Sequence, residues 1–320
     1  MSATINFDNL ILSARTVIGD TLHEIGMKDQ RLWVLTPDVG ASLKEFKRDC
    51  ADRYVDVGIA EQNVMGVAAG LALEGNIPVV MGMIPFLTMR AFEQVRSSIS
   101  YQNLPVRIIG TGGGLTSGGG STHNAMEDIS IMRSIVNMTV ISIGDPNMIR
   151  DIFYAGMERP GPMFIRLAQG KADRVIYEPG SMKYEIGKGI VARDGVDVTL
   201  FAHGEMVFQA LQAAEAAEKE GISVRVIDMF TIKPLDEELT LRCVSETGRV
   251  VVLEDHLTTG GLASAVADVM ADNGVYPAAF KRLGIPQVYA GFGSGEDLRA
   301  KYGYDDAATL SALREVCAVK

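Results

Sequence analysis

Glu61 is a lone carboxylate at the head of a run of small and apolar residues that extends to Leu73. Val64, Val67, Ala68 and Leu71 follow at the i, i+3, i+4, i+7 spacing of one helical face, and Glu61 stands one turn before Val64 and Met65 on that side. Burial raises a carboxyl pKa, and a carboxyl poised near neutrality shares a proton with a ring nitrogen far better than a solvated glutamate does. The same position also suits an ordinary first-turn acid favoured by the helix dipole. A second segment able to meet a ligand is Gly110-Thr111-Gly112-Gly113-Gly114-Leu115-Thr116-Ser117-Gly118-Gly119-Gly120-Ser121-Thr122-His123. Its glycines permit left-handed backbone and close approach to a ligand or another chain. It fits neither G-x-G-x-x-G nor a phosphate-binding G-x-x-x-x-G-K-[ST], so a nucleotide site is not its reading.

Those residues sit in 320 residues, enough for two domains with sizeable cores. Hydrophobic residues at 47% and charged residues at 22% describe a compact chain, and a net charge of -10 argues against nucleic acid, which needs a basic surface. The first eight residues lack the basic-then-apolar layout of a signal peptide and no apolar run reaches membrane-spanning length, so the expectation is a cytoplasmic protein with no membrane partner. Cys50, Cys243 and Cys317 lie far apart without metal-ligand spacing and read as small hydrophobes.

β-rich runs alternate with helical patterns from end to end. Leu32–Leu35, Pro78–Met81, Val106–Ile109, Thr139–Ser142 and Met163–Arg166 read as buried strands of a first half, and Val198–Phe201, Val224–Ile227 and Val250–Leu253 as those of a second. Such alternation predicts an α/β fold of two doubly wound domains, each a parallel sheet covered by helices on both faces. The pattern over Met206 to Gly221 predicts a helix closed by its glycine. The polar, turn-forming stretch from 170 to 185 marks the boundary, giving domains at 1–178 and 179–320.

Gly58-Ile59-Ala60-Glu61-Gln62-Asn63 resembles the corresponding segment of thiamine-diphosphate enzymes of the transketolase family. The resemblance implies a pyrimidine-binding domain followed by a smaller C-terminal domain. It also implies that Glu61 hydrogen-bonds the cofactor's aminopyrimidine and shifts its tautomer, so that a ring nitrogen takes the proton from thiazolium C2. Ile59 comes with the motif as a cofactor neighbour. Phe86, ahead of Arg90-Ala91-Phe92-Glu93-Gln94-Val95-Arg96, matches the ring that stacks on the aminopyrimidine, with Met83 where a further aromatic is usual. Thr122-His123 followed by Glu127-Asp128 is similar to the run whose histidine faces substrate, which makes His123 a catalytic and substrate-binding candidate. Arg15, Ser42 and Arg166 match places that hold a terminal substrate phosphate, and arginine forks suit such an oxyanion. The sequence departs from sugar-phosphate transketolases at Gly119, where an acidic residue is usual, and at Thr111, where a histidine is usual, so the ketose and aldose expected are not the common pair. Later segments, from Val198 through Glu254-Asp255-His256 to Gly260-Gly261-Leu262, resemble the family's C-terminal domain, where His203 and His256 read as structural.

The family's diphosphate motif begins Gly-Asp-Gly and ligates a divalent ion. Gly19-Asp20 and Gly144-Asp145 are the only Gly-Asp pairs here, and neither continues so. The resemblance therefore implies one half of a split enzyme, with no metal ligands of its own. A partner chain would carry the diphosphate domain and Mg2+ or a similar ion, and two copies of each chain would assemble. Rival readings are a 1-deoxyxylulose-5-phosphate synthase, a 2-oxo-acid dehydrogenase β subunit, and a non-catalytic assembly subunit that has kept the fold.

Overall fold

The computed structural model describes residue 5 and residues 10–115, 120–168, 171 and 173–319. Its first part runs β1 (Ile11–Leu12), α1 (Ala14–Lys28), β2 (Leu32–Thr36), α2 (Lys44–Asp49), β3 (Tyr54–Asp56), α3 (Glu61–Leu73), β4 (Ile77–Met83), β5 (Arg107–Thr111), α4 (Asp128–Ser134), β6 (Thr139–Ser142), α5 (Met148–Met157), β7 (Met163–Arg166) and β8 (Asp173–Arg174). The second continues β9 (Ile190–Arg193), β10 (Val198–Ala202), α6 (Met206–Glu218), β11 (Val224–Asp228), β12 (Thr231–Lys233), α7 (Glu237–Thr247), β13 (Arg249–Leu257), α8 (Leu262–Asp272), β14 (Ala279–Ile285), α9 (Gly295–Tyr302) and α10 (Asp306–Cys317).

The expected strands are all present. The first sheet is ordered β12-β6-β7-β5-β4-β2-β3 and is parallel except for β12. Its central strands are buried along their length, which is why they read as unbroken apolar runs rather than as alternation. The second sheet is ordered β14-β13-β10-β11-β9, with β9 antiparallel. Register places Thr36 beside Asp56, Met83 beside Thr111 and Gly110 beside Arg166, so the strands of the first sheet end on one rim. Chain order reverses between β2 and β4, and in open parallel sheets the crevice outside that reversal is where ligands bind.

Two expectations change in detail. The buried face of α3 is Glu61, Val64, Met65, Ala68, Ala69 and Ala72, while Val67 and Leu71 are half-buried, because the helix also rests on the segment after β4. The boundary stretch is not a loose linker: Val175, Ile176, Tyr177 and Tyr184 are buried within it. Asp145 accepts the backbone N–H groups of Ile176 and Tyr177 at 2.8 and 2.7 Å, and the Tyr177 hydroxyl donates to Asp228 on β11 at 2.8 Å. One aromatic thereby ties the stretch to both sheets. The halves are further laced by β12, which pairs with β6 across the division.

Asp228 is fully buried and has no cationic partner among the described residues. Burial pushes its carboxyl up to about 7 from 3.8, the Tyr177 hydrogen bond opposing and Asp145 adding to the rise. A carboxyl raised in the folded state contributes stability that is full below its unfolded value and is lost as pH climbs through its folded one. Asp228→Asn, which keeps an acceptor for Tyr177 and cannot ionise, should raise Tm by about 2 °C or more near pH 8 and by nothing near pH 4. Thermal melts at both pH values check this, and an equal shift at the two would contradict the assignment.

Candidate active site

Glu61 is the first residue of α3, and the turn from β3 delivers it there. Asp56 Oδ1 accepts the N–H groups of Gly58 at 3.0 Å and Asp38 at 3.2 Å, and Gly58 turns back with φ of 67°, a conformation that favours glycine. Ala60 follows and offers no side-chain cap. The Glu61 side chain is only 4% exposed, yet Arg90, which donates Nη1 to its Oε2 at 2.6 Å, is 45% exposed.

Arg90 arrives by another route. After β4 the chain enters a π-helical turn over Phe86–Arg90, in which the Ala91 N–H reaches the Phe86 carbonyl at 3.2 Å. Such wide turns occur in short pieces, often at functional sites. The Arg90 guanidinium lies over the Phe86 ring, 4.3 Å from its centroid. Phe86 also meets His123 edge-to-face, with ring centroids 5.2 Å apart. His123 is half-buried and its Nδ1 lies 3.0 Å from the Thr122 hydroxyl. Three loops from the rim thus bring Glu61, Arg90, Phe86 and His123 into one continuous cluster. Ile59, beside it in sequence, is 74% exposed.

The remaining candidates stand elsewhere on the rim. Ser42 lies after β2, where its hydroxyl meets the Met81 sulfur at 3.9 Å, and its carbonyl packs on Gly19, one helical turn along α1 from Arg15. The Arg15 Nε is buried without a hydrogen-bond partner among the described residues. Burial lowers the pKa of this guanidinium while Asp173 opposes the fall. Arg166 differs. It is buried, with Nε donating to Asp128 at 2.8 Å and Nη2 to the Asp255 carbonyl at 2.8 Å, so two of its donors are already engaged within the protein. Thr111 is buried and its hydroxyl reaches the Gly82 carbonyl at 3.4 Å, a cross-strand contact between β5 and β4. Gly119 lies outside the described residues.

Sequence reasoning missed the residue that anchors the glycine loop. Asp255, on β13, is buried and accepts the Leu115 N–H at 3.1 and 3.2 Å and the Tyr304 hydroxyl at 2.9 Å, with Arg299 at 3.5 Å. A Cβ on Gly114 would collide with this carboxylate, and Gly114 also has φ of 74°, so that glycine is needed twice over. The far side of the loop is held as well: Ser121 donates to the Ala290 carbonyl at 2.5 Å, and Gly120 packs on Phe292. His123 stands two residues beyond that grip. The second domain therefore holds both ends of the loop that presents the histidine, and no spacing in the sequence links residue 115 to residue 255. His203 and His256 are buried around Glu254, which caps α8 through the Leu262 and Ala263 N–H groups at 2.7 and 3.0 Å. His203 bonds Ser142 at 2.9 Å, and burial keeps its imidazole below its ordinary pKa, outweighing Glu254. Both histidines are buried and hydrogen-bonded within the protein.

A cavity of about 650 Å³ lies apart from the cluster, lined by Ala14, Ile143, Glu205, Phe208, Arg299 and Asp305 among others. Glu61, Phe86, Arg90 and His123 do not line it.

Asp255→Ala removes the acceptor that the Leu115 N–H and the Tyr304 hydroxyl share. An unpaired buried group costs about 1–3 kcal/mol, so amide exchange across residues 112–115 and 120–125 should quicken by about tenfold or more while β4 and β10 are unaffected. Exchange mass spectrometry reads this directly, and an unchanged loop would show that the clamp does not hold it.

The sequence matches the transketolase pyrimidine-binding domain over residues 12–173 and the transketolase C-terminal domain over residues 187–308. A putative transketolase C-terminal section of Methanocaldococcus jannaschii is 37% identical over 300 residues, covering 93% of this chain and 94% of that protein. A 6-deoxy-6-sulfo-D-fructose transketolase subunit, SqwH, of Clostridium sp. strain MSTE9 is 38% identical over 300 residues, covering 93% and 92%. A 1-deoxy-D-xylulose-5-phosphate synthase of Geobacter metallireducens is 35% identical over 301 residues, but this chain spans only 48% of its length. A solved structure described as a split gene transketolase, inactive beta4 tetramer, superposes with a TM-score of 0.87 at 37% identity, covering 98% of this chain and 99% of that one. The two domains in their expected order, and relatives of the same extent, lead to one conclusion: this chain belongs to the transketolase family and corresponds to the C-terminal part of its split members.

Proposed function

We propose that this chain is the pyrimidine-binding and C-terminal subunit of a two-component, thiamine-diphosphate-dependent transketolase. It would transfer a two-carbon ketol unit from an anionic ketose to an aldose acceptor. The observation that carries the reading is the pairing of a nearly inaccessible carboxylate, Glu61, with an aromatic face, Phe86, both engaged by the planar cation of Arg90. A carboxylate beside a stacking ring fits an aminopyrimidine, which needs an in-plane hydrogen-bond acceptor and a surface to lie on. Bound there, thiamine diphosphate would supply the carbon nucleophile that breaks the ketose C2–C3 bond.

The chain's own residues have separable duties. Glu61 holds a ring nitrogen and exchanges a proton with it, Phe86 supports the ring, and the exposed Ile59 flanks the cofactor. His123, touching Phe86, faces the substrate's reacting end. Arg15, with its unpartnered Nε, and Ser42 receive the substrate's anionic end. Arg166 serves that end through Asp128 and the loop rather than by a free fork. The domain division falls near residue 178, within the stretch clipped by Tyr177.

A chain of the same extent as the C-terminal sections of split transketolases suits a site completed by another chain. We assign the diphosphate contacts and the divalent ion, Mg2+ or a similar cation, to an N-terminal partner subunit, in an assembly of two copies of each chain. No described helix is long and apolar enough to cross a membrane. The net charge of -10 suits a small sugar substrate and no nucleic acid. The full-length similarity to transketolase sections favours ketol transfer over the synthase and dehydrogenase readings, and comparing pyruvate with a ketose phosphate as donor separates them.

With the partner present, Glu61→Ala should lower kcat by about 100-fold or more, as loss of a positioned acid-base group does. The chain alone should show no turnover. Full activity after Glu61→Ala would leave an assembly subunit as the reading, and robust activity without a partner would refute the split.

A further inference from the structure

Arg90 makes two contacts that, on the reading just given, belong to another molecule. Its Nη1 donates to Glu61 Oε2 at 2.6 Å, and its guanidinium plane covers the Phe86 ring at 4.3 Å from the centroid. A guanidinium is flat, delocalised, rich in in-plane N–H donors and able to stack on an aromatic face. An aminopyrimidine offers the same combination of an in-plane donor edge and a flat π face. One side chain of this protein therefore engages both anchor groups that the ring would use.

We propose that Arg90 is a placeholder for the cofactor's aminopyrimidine, pairing Glu61 and covering Phe86 until the ring displaces it. The unequal exposure of the pair supports an exchange. Glu61 is 4% exposed and has nowhere to go, whereas the Arg90 side chain is 45% exposed and swings into water on a long flexible stem. A buried carboxylate left without any partner is costly, so the protein is best served if one donor leaves only as another arrives. The placing of both residues in one π-helical turn, Phe86 at its start and Arg90 at its end, keeps the guanidinium within reach of the ring it covers. The arrangement also holds Phe86 and Glu61 close to their loaded positions, which lowers the ordering cost of binding.

The inference rests on the assignment of Glu61 and Phe86 to thiamine diphosphate, and the test separates the two. Removing Arg90 penalises the cofactor-free state alone. In the complex of this chain with its diphosphate-binding partner, titrated with thiamine diphosphate and Mg2+, Arg90→Ala should bind the cofactor about fivefold or more tightly than the unmodified protein, because a competing state has been withdrawn. Arg90→Lys, which keeps the charge and loses the flat face, should fall between them. The cofactor-free Arg90→Ala complex should melt below the unmodified one, and the saturated complexes should melt together. Equal or weaker binding by Arg90→Ala, with Glu61→Ala and Phe86→Ala still impaired, would overturn the placeholder and leave the cofactor site standing. Unimpaired binding by Glu61→Ala and Phe86→Ala would overturn the cofactor assignment itself.

Discussion

A carboxylate withdrawn from water must have a partner, and the arrangement of the candidate site follows from that need at Glu61. Its place at the start of α3 is fixed by the Asp56 and Gly58 turn, and its depth by the apolar face of Val64, Met65 and Ala68 beneath it. Having set the acid there, the fold supplies a donor from the segment after β4, and the same segment supplies the aromatic. Helix, π turn and glycine loop converge because the strands that feed them end on one rim of a parallel sheet. The crevice at the reversal of strand order is then the place where their side chains can meet.

The second domain takes part in building the candidate site. Asp255 reaches from β13 into the glycine loop, and Ala290 and Phe292 grip the loop where it comes out. A loop so rich in glycine has much conformational entropy to lose and few side chains with which to pack. External hydrogen bonds to its backbone are the natural way to fix it. The histidine is positioned at the expense of a buried acid in the neighbouring domain, and that acid is in turn satisfied by Tyr304, Arg299 and the loop itself. Domain packing and site geometry are one problem here.

The strands were legible because buried parallel strands are continuous apolar runs, and α6 because small apolar residues recur on one face up to Gly221, whose φ is 82°. Glu61 was legible as a charge out of keeping with its neighbours. The polar composition of the boundary stretch hid the burial of Tyr177 and Tyr184, the first of which bonds Asp228 on β11. Arg166 matches in sequence a place that holds a substrate phosphate, and in space Asp128 and the Asp255 carbonyl meet it. Periodicity reports which face of an element is buried but not what stands opposite. Arg90 lay within a quoted motif, and only its distances to Glu61 and Phe86 give it a role.

By itself the sequence determined the alternation of strands and helices and the two-domain order, since these depend on local pattern, and its resemblance to the family put forward the acid, the aromatic and the histidine as candidates. The tertiary structure decided which of them meet. It joined Glu61 to Arg90 across 29 positions and Leu115 to Asp255 across 140, and it turned Arg166 inward. Hydrogen bonds and stacking act over a few ångströms and take no account of distance along the chain, so the pairings that make the site exist only once the sheets have brought their rims together.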